Sequence, residues 1–181
     1  VIIAKFISLN LMHCFIILNF WILHNLKDTL VVTHPESGAE VINYLKIFLV
    51  FPASLAFVMF YTWLANRMSL RRLFYGIIGA FAVTFLVFAL LFFPFQETFH
   101  LSASTIKSYK LSYPRFQWFF PMVGYWTNSL FYLVSELWAA LALTLLFWQF
   151  ANLITPVEQA RRFYMLIGGF SAFAMMASWG L

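Results

Sequence analysis

The sequence predicts an all-α integral membrane protein. Three observations carry that reading: a composition with too few charges for a water-soluble core-and-surface domain, a succession of apolar runs of spanning length, and short connections rich in arginine. Of 181 residues, 64% are hydrophobic and only 9% are charged, against about 25% charged in a soluble domain. The mean hydropathy is +0.87. Such a chain is classed with membrane proteins before any residue is considered.

A spanning helix needs about 20 mostly apolar residues. Five segments meet that length, at about 6–32, 39–64, 73–95, 122–151 and 163–181. Between the second and third lies "NRMSLRR", with Arg67, Arg71 and Arg72; between the fourth and fifth lies "LITPVEQARRF", with Arg161 and Arg162. Lys5 precedes the first run. If the spans alternate, these six basic residues share one side, which the positive-inside rule makes cytoplasmic. The other side receives "THPESG" and the segment 96–121, whose Lys107, Lys110 and Arg115 satisfy the rule less well. The aromatic Trp118, Phe119 and Phe120 in that segment suit a membrane interface. The opening without Met and the apolar ending, "YMLIGGFSAFAMMASWGL", are expected of a piece of a longer chain. The one cysteine, Cys14, has no internal partner and reads as a packing residue.

The informative residues are the charges inside the apolar runs, because ionisable groups in a span mark functional sites by default. Lys27 lies late in the first run, Lys46 early in the second, and Glu136 in the middle of the fourth. The plainer reading of both lysines is snorkelling to the interface. Against it, His24, Lys27, Asp28 and Val31 follow the spacing of one helical side. Adjacent side chains diverge by about 100° on a helix, so Asp28 is expected to bond a neighbouring helix rather than Lys27. Lys46 shares a face with Asn43. Two ammonium groups facing one cavity repel unless an anion joins them, and phosphate does that well. Glu136 belongs to a stripe of Tyr125, Ser129, Tyr132, Glu136 and Ala139 at spacings of 4, 3, 4 and 3. A structural ion pair, a neutral buried acid and a switchable counter-charge all fit it. Asn10, His13 and Asn19 read as interhelical hydrogen-bonding groups.

No P-loop, metal-ligand cluster or nucleophile–base arrangement is present in the sequence, so neither an enzyme nor a cofactor is expected. The net charge of +5 fits basic turns and an anionic solute rather than nucleic acid.

Three blocks, "NLKDTLVVT", "SGAEVINYLKIF" and "SELWAALALTLLFWQFANLITPVEQARRFY", resemble the nucleotide transporter family of ATP/ADP antiporters of obligate intracellular bacteria and plastid envelopes. The resemblance runs from about Ile17 to Gly169 and is least at 96–121. It implies a major-facilitator-like carrier of twelve helices, a secondary transporter acting as a monomer, with this chain forming most of the N-terminal six-helix half. It further implies exchange of ATP for ADP, with Lys27 in "LKDT" and Lys46 in "YLKIF" binding phosphates and Glu136 in "SELW" as the gating counter-charge. Beside these, Asp28, His24 and Tyr132 are further candidates for the substrate site, with Tyr132 or Tyr125 a candidate for stacking on the base. The membrane it implies is a bacterial inner membrane first and a plastid envelope second. His24 departs from the arginine more usual before "NLKD" and would be a weaker, pH-dependent cation. His34 interrupts a run of small residues. A carrier of another nucleotide, a proton-coupled importer, and a non-transporting platform fused to soluble regulatory domains are the competing readings.

Overall fold

The computed structural model describes residues 2–141 and 147–154; the expected fifth span, 163–181, and Arg161 and Arg162 lie outside them. The regular elements of the described residues are all helical, in the order α1 (Ile2–Val32), α2 (Glu40–Tyr44), a π-helical turn (Leu45–Val50), α3 (Phe51–Ala65), α4 (Leu70–Val87), a second π turn (Phe88–Phe92), α5 (Gln96–Phe99), α6 (Ala103–Ser112), a 3₁₀ turn (Pro114–Phe116), α7 (Phe119–Gly124), α8 (Trp126–Leu141) and α9 (Phe147–Ile154). Three stretches are long and apolar enough to cross a membrane: Ile7–Val32, Glu40–Ala65 and Leu70–Phe92. Their surfaces carry large apolar groups that water does not tolerate in such numbers, with Met59 74% and Leu90 66% exposed. The chain is an all-α, multi-pass membrane protein.

The two π turns have one cause. Pro52 cannot donate to the Phe48 carbonyl, and its ring crowds that carbonyl; Pro94 stands in the same relation to Leu90. Both carbonyls fall inside the π turns, where the ladder widens by one residue. In the second turn Phe93 N–H bonds the Phe88 carbonyl at 2.8 Å. Uninterrupted helices were expected at both places.

The expected fourth span, 122–151, covers the end of α7, α8 and the start of α9, with 142–146 outside the described residues. The backbone breaks at Tyr125, between α7 and α8. The segment expected as a loop, 96–121, is folded. Ser102 caps α6 by accepting from the Thr105 N–H, and the fully buried Ile106 of α6 packs so closely on Gly124 that a Cβ there would lie 2.7 Å from its Cδ1.

Two compact units make up the fold. In the larger, Leu26–Leu137, one core joins Val31, Val41, Leu45, Met122 and Tyr132. A second contact stacks Phe88 of the π turn on Phe131 of α8, ring centroids 4.3 Å apart. The other unit contains the described residues before Leu26 and after Leu137. There Leu9, Phe147 and Ala151 form a core, His13 stacks on Phe147 at 4.2 Å, and Trp138 Nε1 donates to Asn19 Oδ1 at 2.7 Å.

The larger unit closes at one end with a cap over the α1–α2 connection. Glu36 sits there at φ 61°, a left-handed conformation that costs about 1–2 kcal/mol. Lys110 holds it in place, donating to the Glu36 carbonyl at 2.9 Å and its Oε2 at 3.2 Å. Tyr125 donates its hydroxyl to the Pro35 carbonyl at 2.9 Å, and Ser37 to the Val31 carbonyl at 2.7 Å. His34 stacks on Tyr125 at 4.3 Å and bonds the Asn128 side chain; His100 meets Tyr125 edge-on and bonds Thr127.

Burial holds both histidines below their usual pKa, and for His100 the nearby His34 adds to it. The folded state therefore binds fewer protons than the unfolded chain once the pH falls below about 6.5. Thermal stability of the purified protein is expected to be fully present above that pH and to decline towards pH 5. Replacing both residues, His34→Gln with His100→Gln, should flatten this decline in a series of melting curves. An equally steep decline in the double variant would show that other groups set it.

Candidate functional site

The site is built where α1 meets α8 in the larger unit. Lys27 is placed by the uninterrupted first helix, which runs on to Val32 before the turn that carries the cap. Its side chain is 3% exposed although the helix is one of spanning length. An isolated ammonium in such a place is strongly unfavourable, and the structure compensates it on three sides. Asp28 Oδ1 lies 2.8 Å from Nζ, Glu136 Oε1 lies 3.0 Å away, and the Tyr132 ring centroid is 4.1 Å below. The two carboxylates match two of the ammonium's three donors, and the ring face supplies a cation–π contact.

The α8 partners come from the stripe read in the sequence. Ser129 donates to the Met122 carbonyl at 2.6 Å and so braces the break before α8. Tyr125 reaches the cap, Tyr132 lies under Lys27, and Glu136 pairs with it. One side of α8 thus addresses α1 and the turn that follows it. Asn128, on the adjoining face, donates to the Leu30 carbonyl at 3.5 Å and bonds His34.

One expectation is corrected. Asp28 bonds Lys27 itself. Its direction from the helix axis does differ by about 100°, but that angle concerns Cβ; the flexible four-carbon lysine stem brings Nζ round to the neighbouring carboxylate. The remaining candidates fall elsewhere. Lys46 is exposed on the first π turn, and His24 is half-buried against Phe20 and Trp21 at 5.7 and 5.9 Å. Neither is among the groups that touch the Lys27 ammonium.

Sequence reasoning passed over Ser135. It is 2% exposed, next to Glu136, and its hydroxyl has no hydrogen-bond partner among the described residues; the same holds of the Tyr132 hydroxyl. Two buried hydroxyls without partners, three residues apart on one side of α8, are free donors beside an ion pair. A serine in a row of "LVSELW" gives no signal of this by type. Among the described residues no group of three or more His, Cys, Asp and Glu side chains could hold a metal ion.

An ammonium between two partly exposed carboxylates (37% for Asp28 and 28% for Glu136) can exchange one of them for another anion. A family model described as TLC ATP/ADP transporter matches residues 1–180. The chain belongs to the TLC ATP/ADP transporter family. This TLC-family chain is similar to ADP,ATP carrier protein 3 of Rickettsia bellii (strain RML369-C), 42% identical over 163 residues, which are 90% of this chain and 32% of that protein. It is 40% identical, over the same shares, to ADP,ATP carrier protein 3 of Rickettsia prowazekii (strain Madrid E). To ADP,ATP carrier protein 1 of Rickettsia typhi (strain ATCC VR-144 / Wilmington) it is 39% identical over 164 residues, 91% of this chain and 32% of that protein. The chain therefore spans 32% of the length of these relatives. No solved structure matches it.

Breaking one side of a buried ion pair leaves an uncompensated charge, at a cost of about 3–5 kcal/mol. Lys27→Met should destabilise this TLC-family fold by less than that, because the two carboxylates then left without their cation are 37% and 28% exposed and partly screened by solvent. Lys27→Met combined with Glu136→Leu should recover a large part of the loss. A double-mutant cycle in denaturant titrations measures the coupling; strictly additive effects would mean that the 3.0 Å contact carries no net energy.

Proposed function

We propose that this chain forms most of the N-terminal six-helix half of a major-facilitator-like carrier that exchanges ATP for ADP across a bacterial cell membrane. The observation that carries the reading is the Lys27–Glu136 pair: a buried ammonium joined to a carboxylate of another helix, in a member of an ATP/ADP transporter family. The names of its Rickettsia relatives, ADP,ATP carrier proteins, support the choice of substrate and of membrane.

In this reading the pair is a gate. A nucleotide phosphate takes the place of the Glu136 carboxylate on Lys27, and Lys46 supplies a second cation from its exposed position. Asp28 stays on Lys27 and keeps the ammonium oriented. Tyr132 and Ser135 offer hydroxyl donors to the phosphate oxygens, and His24 adds a weaker cation whose charge depends on pH. An empty carrier re-forms the Lys27–Glu136 pair and resists rearrangement; a loaded one has exchanged that bond for a phosphate contact and rocks one half against the other. Transport then needs an occupant in both directions, which is what exchange means. The protein acts as a monomeric secondary transporter and requires no cofactor.

The test uses the full-length gene in a host without a nucleotide importer, with labelled ATP outside and ADP inside. Uptake that depends on internal ADP, lost in Lys27→Ala and in Glu136→Gln while membrane insertion is retained, is the expected result. Any residual uptake by Lys27→Ala should show an apparent KM raised about 10- to 100-fold, the worth of one hydrogen bond to a charged group. Uptake of a different nucleotide, or uptake driven by protons without internal ADP, would replace the substrate or the mode. No uptake of any nucleotide by an inserted protein would leave the lysines structural and favour a membrane platform.

A further inference from the structure

The exchange reading leaves two features of the segment 96–121 unused: its cations, and the aromatic run that ends it. The structure brings one of those cations, Arg115, and part of that aromatic run to one groove. A cavity of about 870 Å³ opens between the start of the second span and the 3₁₀ turn and α7. Its walls are Tyr44, Ile47 and Phe48 on one side and Tyr113, Phe119 and Phe120 on the other. The rings hold one another in place: Phe48 meets Phe119 edge-on at 6.5 Å, Tyr113 lies 6.2 Å from Phe120, and Tyr109 stacks behind Phe120 at 5.5 Å. The groove is therefore preformed, as ligand sites usually are.

Its occupant must be largely apolar, since Ile47 is 64% and Phe48 57% exposed along it and covering them is favourable in proportion to their area. It must also be reached from the membrane, because one wall belongs to the spanning stretch Glu40–Ala65. And it must be anionic at one end. Arg115 stands at the groove, exposed, with no hydrogen bond or ion pair among the described residues. Lys110, the nearby alternative, is already engaged by Glu36 and lies over the Trp118 ring at 4.8 Å. A guanidinium matches a phosphodiester in shape and in its paired donors. A free nucleotide fits these walls poorly, having no apolar tail to cover them.

We propose that this groove binds an anionic glycerophospholipid, with an acyl chain along the aromatic walls and the phosphodiester on Arg115. The site gives a partner to Arg115, a cation on the side where the positive-inside rule does not call for one. It is independent of what the carrier transports.

Native mass spectrometry of the full-length protein, in non-ionic detergent with equimolar phosphatidylglycerol and phosphatidylcholine, tests this. The wild type should retain phosphatidylglycerol over phosphatidylcholine by about fivefold, the effect of one basic residue near an anionic headgroup. Arg115→Ala, a change at an exposed position, should bring the ratio close to one. Ile47→Trp, which fills the groove, should reduce retention of both lipids, and glycerol 3-phosphate should displace neither. Equal retention of the two lipids by the wild type, an unchanged ratio in Arg115→Ala, or displacement by glycerol 3-phosphate would overturn the proposal. So would protection of Ile47→Cys, in a Cys14→Ser background, from a membrane-soluble maleimide in delipidated protein, because the rest of the carrier would then fill the groove.

Discussion

An ammonium that is 3% exposed within a spanning helix constrains everything around it. Lys27 can stay charged there only if anions and a ring face meet it at hydrogen-bond distance. Asp28 is supplied by the next residue and asks nothing of the fold. Glu136 and Tyr132 come from α8, so α1 and α8 must approach at one height and with one rotation. The cap fixes both. His34 to Asn128 and Tyr125 to Pro35 tie the first turns of α8 to the connection just beyond α1, and the core of Val31, Val41, Leu45, Met122 and Tyr132 fills the space between. Even the left-handed Glu36 belongs to this arrangement, since the tight turn it permits brings His34 and Pro35 back over α8.

Much of this was legible from residue types and spacing. Charges in apolar runs are conspicuous, and Lys27 and Glu136 stand out at once; the 4, 3, 4, 3 stripe puts Tyr132 and Glu136 on the side that meets Lys27. The limits of the first three spans also lie within a few residues of the helices found. What escaped the sequence did so for physical reasons. The Lys27–Asp28 contact depends on how far a lysine stem can bend, which Cβ directions do not report. The π turns follow from Pro52 and Pro94, but a proline equally permits a kink or a break, and only the packing decides. The Asn43–Lys46 pairing was read on an α-helical period, whereas the π turn beginning at Leu45 changes the phase of the residues within it. The packing of 96–121 turns on one buried isoleucine, Ile106, set against Gly124, and on contacts to distant residues such as Lys110 to Glu36 and His100 to Thr127, none of which shows in a segment that reads as polar.

The exposed residues carry a different kind of information. A buried group such as Lys27 is explained by partners inside the described unit. Lys46 and Arg115 are exposed cations on apolar surroundings, and each has a charge that the unit does not answer. For such groups the partner is expected outside the described residues: a solute phosphate for the one and a lipid phosphodiester for the other in the readings offered above. The same chemistry, a cation set against phosphate, would then serve transport at one place and anchoring at the other, and the surrounding walls would separate the two. Aromatic walls of the kind around Arg115 select an acyl tail; carboxylates and hydroxyls of the kind around Lys27 select a polar ligand.

The arrangement at Lys27 also determines which of its two ion pairs can report on a conformational change. Lys27 and Asp28 are neighbours on one helix, so no movement of α1 as a body can part them. The Glu136 contact joins α1 to α8, so drawing these helices apart beyond the reach of the two side chains lengthens it. Together with the Tyr132 ring contact its energy opposes relative motion, and in the exchange reading a ligand that replaces Glu136 on the ammonium weakens that opposition while leaving Asp28 in place. A carrier in which the empty state must be held still and the loaded state released needs one bond of each kind: a local one that preserves the binding group, and an interhelical one that substrate can dissolve. The two carboxylates, at 2.8 and 3.0 Å from the same nitrogen, are chemically alike, and in the exchange reading their places in the fold would divide these tasks between them.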